Sequence, residues 1–283
     1  MSDRDLQLGP SAVAVAKAAM TRTRSLVWRT RGANAAPGVR ILFYHRITDE
    51  PDSLAVKPDA FRRQVEYLAS QGFRIVDVPE AARLAAAGDT GRVVGMSFDD
   101  GYRDVVENGA EVLAEHDAKV TIFVVPGVVD GTARFTWYDR QPPVLGWEEI
   151  AELDRDSPFR FEAHTVTHPN LLALPEDEAR SEIARSREQV AERLGRAVEA
   201  FCYPAGLYTP RERGLVAEAG FTAAVTCDPG ANGPHTDALL LHRTAVELRD
   251  GLVDFAAKVA GAHDTPLPLR SAYRRLRYGR DAG

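Results

Sequence analysis

Four points along the chain carry residue types that can bind a divalent cation or move a proton, and each closes a run of β-branched or aromatic residues. Asp99-Asp100-Gly101 follows the run 92–98. His164 ends the run 159–164 and His168 stands four residues on. Tyr44-His45 ends the run 39–45, and Tyr203-Pro204-Ala205-Gly206 closes 199–203. Two adjacent carboxylates repel each other unless a cation or a shared proton compensates them, although Asp-Asp-Gly by itself is also a common turn. One turn can present imidazoles at i and i+4 to a single ion, and Pro169 keeps a regular helix from running back through the pair. Two histidines with a carboxylate suit a divalent transition metal that leaves positions open to water and substrate. Either motif alone is weak evidence; together, at separate strand ends, they are specific.

The elements that must hold these residues alternate. Strands are expected at 39–45, 73–77, 92–98, 119–125, 159–164, 199–203, 222–226 and 239–243, separated by amphipathic stretches. Phe61, Val65, Tyr67 and Leu68 form one apolar helix face. Val105, Ala110, Val112 and Leu113 form another, and a charge-laced helix over 178–194 stops at Gly195. Seven or eight such units without Gly-x-Gly-x-x-Gly after the first strand argue for a distorted (β/α) barrel of about seven strands, α/β in class, rather than a dinucleotide-binding sheet. Such barrels place their chemistry at the C-terminal ends of strands, where all four points fall. The segment 126–146 is long for a βα loop and is expected to wall the site.

The 283 residues and 45% apolar content suffice for one large domain. The expected layout is a basic helical extension over 1–38, a barrel over 39–262 and a basic tail over 263–283. Residues 1–36 and 270–283 each carry a charge of +4 against −6 for the whole chain, so the middle is strongly acidic. That excludes a nucleic-acid channel. Basic ends leave peripheral contact with an anionic membrane as a lesser alternative to solvated tails. The apolar stretch 11–20 precedes its Arg cluster, the reverse of a signal peptide, and is too short to span a bilayer. A cytoplasmic protein is expected, membrane association being the alternative. Cys202 and Cys227 are expected to be buried thiols, a bridge between neighbouring strands being the other reading. Oligomeric state is not legible, and His116, His235 and His263, which fit no pattern, are expected at the surface.

Ser97-Phe98-Asp99-Asp100-Gly101-Tyr102, paired with the run His164 to Leu171, resembles the polysaccharide deacetylase family, also called carbohydrate esterase family four or the NodB-homology domain. The resemblance runs from about Val39 to Gly261. It implies a distorted barrel that hydrolyses acetyl groups, chiefly N-acetyl, on saccharides. It also implies Asp100, His164 and His168 as ligands of one divalent ion, zinc with cobalt or nickel as alternatives, and Asp99 as general base. An oxyanion donor is implied in the backbone N–H of Tyr203. Two departures matter. Phe201-Cys202 stands where the family has an Arg before its aromatic-Pro-x-Gly, so Arg243 is expected to reach Asp99 in its stead. The family's C-terminal Leu-x-x-His has no clear match, the nearest being Leu240-Leu241-His242. Tyr44-His45-Arg46-Ile47 resembles the N-terminal segment of poly-N-acetylglucosamine deacetylases, which makes His45 the expected general acid and His242 the alternative. Trp137, Tyr138, Pro204 and Arg243 are expected to line the saccharide site. Two alternatives stay open: hydrolysis of an O-acetyl ester or another amide, and a non-catalytic carbohydrate-binding relic.

Overall fold

The computed structural model describes residues 19, 21–28, 37–89 and 91–264. Its central sheet is parallel, in the order β10-β1-β5-β6-β7-β8-β9. These strands are β1 (Arg40–Tyr44), β5 (Val93–Phe98), β6 (Val120–Val124), β7 (Phe159–Ala163), β8 (Ala200–Cys202), β9 (Ala223–Val225) and β10 (Thr244–Ala245). A further strand, β4 (Arg74–Val76), pairs with the first half of β5, and a small β2 (Arg46–Ile47) and β3 (Ala55–Val56) pair apart from the sheet. β1, β5 and β6 are buried along their whole length, which is why they read as unbroken apolar runs rather than alternating ones.

The sheet curls into a distorted (β/α) barrel. Helices α2 (Pro58–Ser70), α4 (Asp104–Glu115), α6 (Trp147–Asp156), α7 (Glu176–Leu194) and α8 (Pro210–Glu218) cover its outer face; α9 (Leu252–Val259) packs against α2. The expected apolar faces are the ones buried: Phe61, Val65 and Leu68 on α2, and Val105, Val112 and Leu113 on α4. Helix α3 (Val78–Ala86) instead packs against β1, β5 and β9. Its Val78, Ala81 and Ala85 form a second core with Ile41, Val93, Phe123, Ala200 and Val225, filling the barrel's concave side. Local chemistry fixes the helix ends. Asp77 accepts the Glu80 N–H at α3, Thr209 and Glu212 form a capping box at α8, and Gly195 ends α7 at φ 65°.

One strand is misplaced by the sequence reading. Leu239 to Arg243 is not a strand; only Leu241 bridges Val225 of β9, and the ladder with β1 begins at Thr244. The segment therefore spans from β9 to β1 and draws the two ends of the curled sheet together. Of the expected helical extension over 1–38, α1 (21–28), residue 19 and residues 37–38 are among the described residues. The remainder of the 1–38 extension up to Ala36, and the tail beyond Asp264, lie outside them. His263, expected at the surface, is buried against Ser25 of α1, with Nε2 and Oγ 3.3 Å apart. No helix among the described residues is long and apolar enough to cross a membrane.

Candidate active site

β5 delivers two carboxylates to one place by breaking its own alternation. Neighbouring side chains on a strand point to opposite faces, but Asp100 adopts φ 76° and Gly101 φ 72°, so the chain turns before Asp100 can point away. Five non-glycine residues among those described have positive φ. Four of them, Asp100, Thr165, His168 and Ala205, border this site. Such conformations cost about 1–3 kcal/mol each and persist where function requires them.

β7 delivers His164, and the turn beyond it delivers His168. Glu182 of α7 buttresses that turn by accepting hydrogen bonds from the N–H groups of Val166 and Thr167 and from the Thr167 hydroxyl. His164 Nε2 and His168 Nε2 lie 3.7 and 3.8 Å from Asp100 Oδ1. The three ligand atoms sit within 4.8 Å of one another. His164 Nδ1 is 2.7 Å from the Cys202 carbonyl oxygen. A carbonyl only accepts, so Nδ1 carries the proton and Nε2 presents its lone pair.

The electrostatics show what this triad lacks. Burial, and then the charge of Asp99, push the Asp100 carboxyl well above the usual range. Its Oδ1 is buried with no hydrogen-bond partner. Burial lowers His164 to about 4 and holds His168 well below the usual imidazole range, so both rings are neutral at pH 7. Two neutral imidazoles and an orphaned carboxylate oxygen, too far apart to hydrogen-bond, fit one divalent ion at about 2.1 Å from each.

Asp99 differs from its neighbour. Burial alone would raise its pKa, but Arg243 overrides this and holds it at about 2. Arg243 donates from Nη1 to Oδ1 (2.6 Å) and from Nη2 to Oδ2 (2.9 Å). It is fully buried, its guanidinium carbon 4.3 Å from the Phe43 ring centroid. Arg243 therefore supports Asp99 as expected, and its placement among saccharide-contacting residues is corrected: a side chain sealed behind Asp99 cannot meet a ligand. Pro204 is buried too.

Of the two histidines weighed as proton donor, the structure brings one to the site. His45, at the end of β1, is lowered by burial, raised by the charge of Asp99, lowered by Arg243 and raised by Asp52. His242 packs beside Gly230, where an added Cβ would meet its ring at 3.1 Å, and the charge that acts on it is that of Asp264 rather than Asp99. The loop after His45 is pinned by Arg46, which binds Asp104, Asp52 and Glu50 at 2.7, 2.8 and 2.9 Å.

Tyr203 requires a correction. Its N–H donates to the Val225 carbonyl at 3.2 Å, and its hydroxyl to Leu239, so neither is free to face an oxyanion. The exposed Ala205, two residues on at φ 54°, carries an N–H that makes no backbone hydrogen bond. Gly206 makes this turn possible: at φ 66°, an added Cβ would lie 2.5 Å from the Cys227 backbone nitrogen. Gly206→Ala is expected to cost about 2 kcal/mol or more, read as a lowered urea midpoint. Trp137 stacks on Phe135 (4.7 Å) and stands edge-on to His168 (5.0 Å). The Tyr138 hydroxyl is committed to Asp52 at 2.5 Å, which anchors the 126–146 loop. Cys202 is buried, as expected, whereas Cys227 is only half-buried; the two are not bridged, and both sulfurs lie near Arg243 Nη2.

A family model described as polysaccharide deacetylase matches residues 86–224, a span that contains Asp99, Asp100, His164 and His168. Over that span, just under half of its length, the chain is similar to the polysaccharide deacetylases. YxkH of Bacillus subtilis (strain 168), which carries a provisional polysaccharide deacetylase name, is 26% identical over 209 residues, 73% of this chain and 70% of that protein. The structure of IcaB from Ammonifex degensii is 27% identical with a TM-score of 0.69, covering 81% of this chain and 98% of that one. Streptococcus pyogenes deacetylase PplD, solved in complex with acetate, shares the fold. Its TM-score is 0.69 at 23% identity, covering 79% of this chain and 99% of that one. The likeness is thus to deacetylases, hydrolases of acetylated saccharides.

Proposed function

We propose that this deacetylase removes an N-acetyl group from a saccharide and depends on one divalent ion, zinc in the first instance, held by Asp100, His164 and His168. The observation that supports this most directly is the pairing of two unlike carboxylates: Asp100, raised and orphaned for want of a cation, beside Asp99, kept ionised by its own counter-ion. When bound, the ion would polarise the acetyl carbonyl and acidify a water molecule.

The chain's own residues supply the rest. Asp99, ionised and held by Arg243, accepts the proton of the attacking water. The Ala205 N–H, free at the top of β8, is placed to donate to the developing oxyanion. An amine leaves only if it is protonated, and His45, within reach of Asp99's field, is the imidazole available to give that proton. The partner is the N-acetylated saccharide itself; a cytoplasmic location with membrane contact through the basic ends remains part of the reading.

Acetate release from N-acetylglucosamine oligomers and from lipid-linked N-acetyl sugars, with zinc, cobalt or nickel supplied in turn, tests the assignment. Release only from O-acetylated material would overturn the N-acetyl reading. His45→Ala is expected to slow amide hydrolysis by about 10²–10⁴-fold and to leave ion content unchanged. An activated aryl acetate, whose leaving group needs no proton, should lose far less. His242→Ala should match the parent in turnover; a large loss there would transfer the acid role.

A further inference from the structure

The segment 126–146 is sewn to both ligand-bearing turns. At its start, the Gly127 N–H donates to the Val166 carbonyl at 2.8 Å, within the turn that carries His168. At its end, the Leu145 N–H donates to the Gly101 carbonyl (3.1 Å), the Arg103 N–H donates to the Pro143 carbonyl (3.0 Å), and Tyr102 bridges Val144. Between these stitches its aromatic side chains reach inward to the same two turns. Phe135 lies 5.5 Å from the Tyr102 ring and 5.9 Å from His168, and Trp137 lies 5.0 Å from His168.

Three buried polar atoms in this cluster lack a hydrogen-bond partner of good geometry: Asp100 Oδ1, the Tyr102 hydroxyl and Trp137 Nε1. Leaving a buried polar group unpaired costs about 1–3 kcal/mol, so three side by side need a reason. They form a sequence in space. Tyr102 follows Asp100 across the Gly101 turn, and Phe135 packs against both the Tyr102 ring (5.5 Å) and the Trp137 ring (4.7 Å), which gathers the three unpartnered atoms in one cluster. Tyr102 is fully buried, with Arg46 over its ring at 5.6 Å. It cannot touch a saccharide.

Resting on the metal-dependent reading above, we propose that Tyr102 and Trp137 are positioning residues for the ion. With the ion bound, the Trp137 N–H donates to the Tyr102 oxygen and the Tyr102 hydroxyl to the Asp100 carboxylate. The Trp137 ring meanwhile holds the edge of His168. The loop is thus an outer support of the ion pocket, tied to two of its three ligands, and not simply a wall for substrate. Hydrogen-bond partners behind metal ligands contribute about 10–100-fold to metal affinity.

The test is a chelator competition on the whole chain, titrating zinc alone into the parent, Tyr102→Phe and Trp137→Phe. Tyr102→Phe removes only the hydroxyl; Trp137→Phe keeps an aromatic ring and removes the N–H. Each should weaken zinc binding by about 10-fold or more, the double variant should lose less than the product of the two, and the visible spectrum of the cobalt form should shift in Tyr102→Phe. Zinc affinity and cobalt spectrum unchanged in both folded variants would overturn the proposal. If Trp137→Phe raised KM for saccharide with zinc affinity intact, the indole would belong to the substrate and the proposal would again fail. A parent that binds no ion overturns the metal-dependent reading itself, which separates the two failures.

Discussion

Asp99→Asn is expected to lower turnover by about a thousandfold or more while the protein still takes up its ion. Asn has nearly the same shape, and Asp100, His164 and His168 are untouched, so the loss falls on proton transfer, for which general bases contribute about 10²–10⁴-fold. The variant has a second effect. Arg243 is fully buried and both carboxylate oxygens of Asp99 are its partners. An amide can accept from one side only, and the guanidinium charge is left uncompensated. Asp99→Asn should therefore also unfold at lower denaturant. Ion content measured beside single-turnover rate separates the effects: a variant that keeps the parent's rate removes Asp99 from the base role.

Arg243→Met approaches the same pair from the other side. It strands the Asp99 carboxylate in the barrel interior with no counter-charge, and breaking a buried ion pair from one side costs about 3–5 kcal/mol. At this chain length a lowering of Tm by roughly 10 °C follows. The pH dependence should change sign. In the parent, Asp99 is depressed to about 2 from an ordinary 3.8. It thus contributes stability that is complete above about pH 4 and is lost as pH falls toward 2. Without Arg243 only the smaller pull of His164 and His45 opposes burial, so the folded pKa is expected to rise above the unfolded one and the variant to become relatively more stable as acid protonates Asp99. Arg243→Lys restores charge but not the two-pronged contact and should fall between. The double variant Asp99→Asn with Arg243→Met should recover part of the stability lost by either single one and remain inactive. Tm recorded from pH 3 to 7 for all four decides it; parallel curves for the parent and Arg243→Met would contradict the electrostatic account.

What sequence could and could not show follows from the kind of signal each residue leaves. Asp99, Asp100, His164 and His168 were legible because a strand end beside a turn is itself a sequence pattern and their residue types are costly to place there without a purpose. Arg243 was legible only through an absence, the Phe201-Cys202 that stands where an Arg was expected. The strand assigned to 239–243 failed because three leucines look the same in a ladder and in a single bridge. Here only Leu241 pairs, and the ladder waits for Thr244. Tyr203 was misjudged because periodicity cannot show which strand-end N–H is already engaged; the φ of Ala205 shows it and no residue type announces it. Glu182, sixteen residues beyond Val166, and Tyr102, whose hydroxyl lies beside Asp100, left no signal beyond an acid on a charged helix and an aromatic after a turn. His263 had no periodic neighbour to betray its burial against Ser25.

The segment that joins β9 to β1 carries Arg243 between its two points of attachment, Leu241 and Thr244. On the base role proposed for Asp99, closing the sheet and arming the base are one event. A nascent chain that has already exposed Asp99, Asp100, His164 and His168 still lacks a charged partner for its base until the last tenth or so of the described fold is made and docked. Catalytic competence is then expected to report on completion of folding. A fragment ending before residue 243 would hold every residue of the ion triad and still be inert.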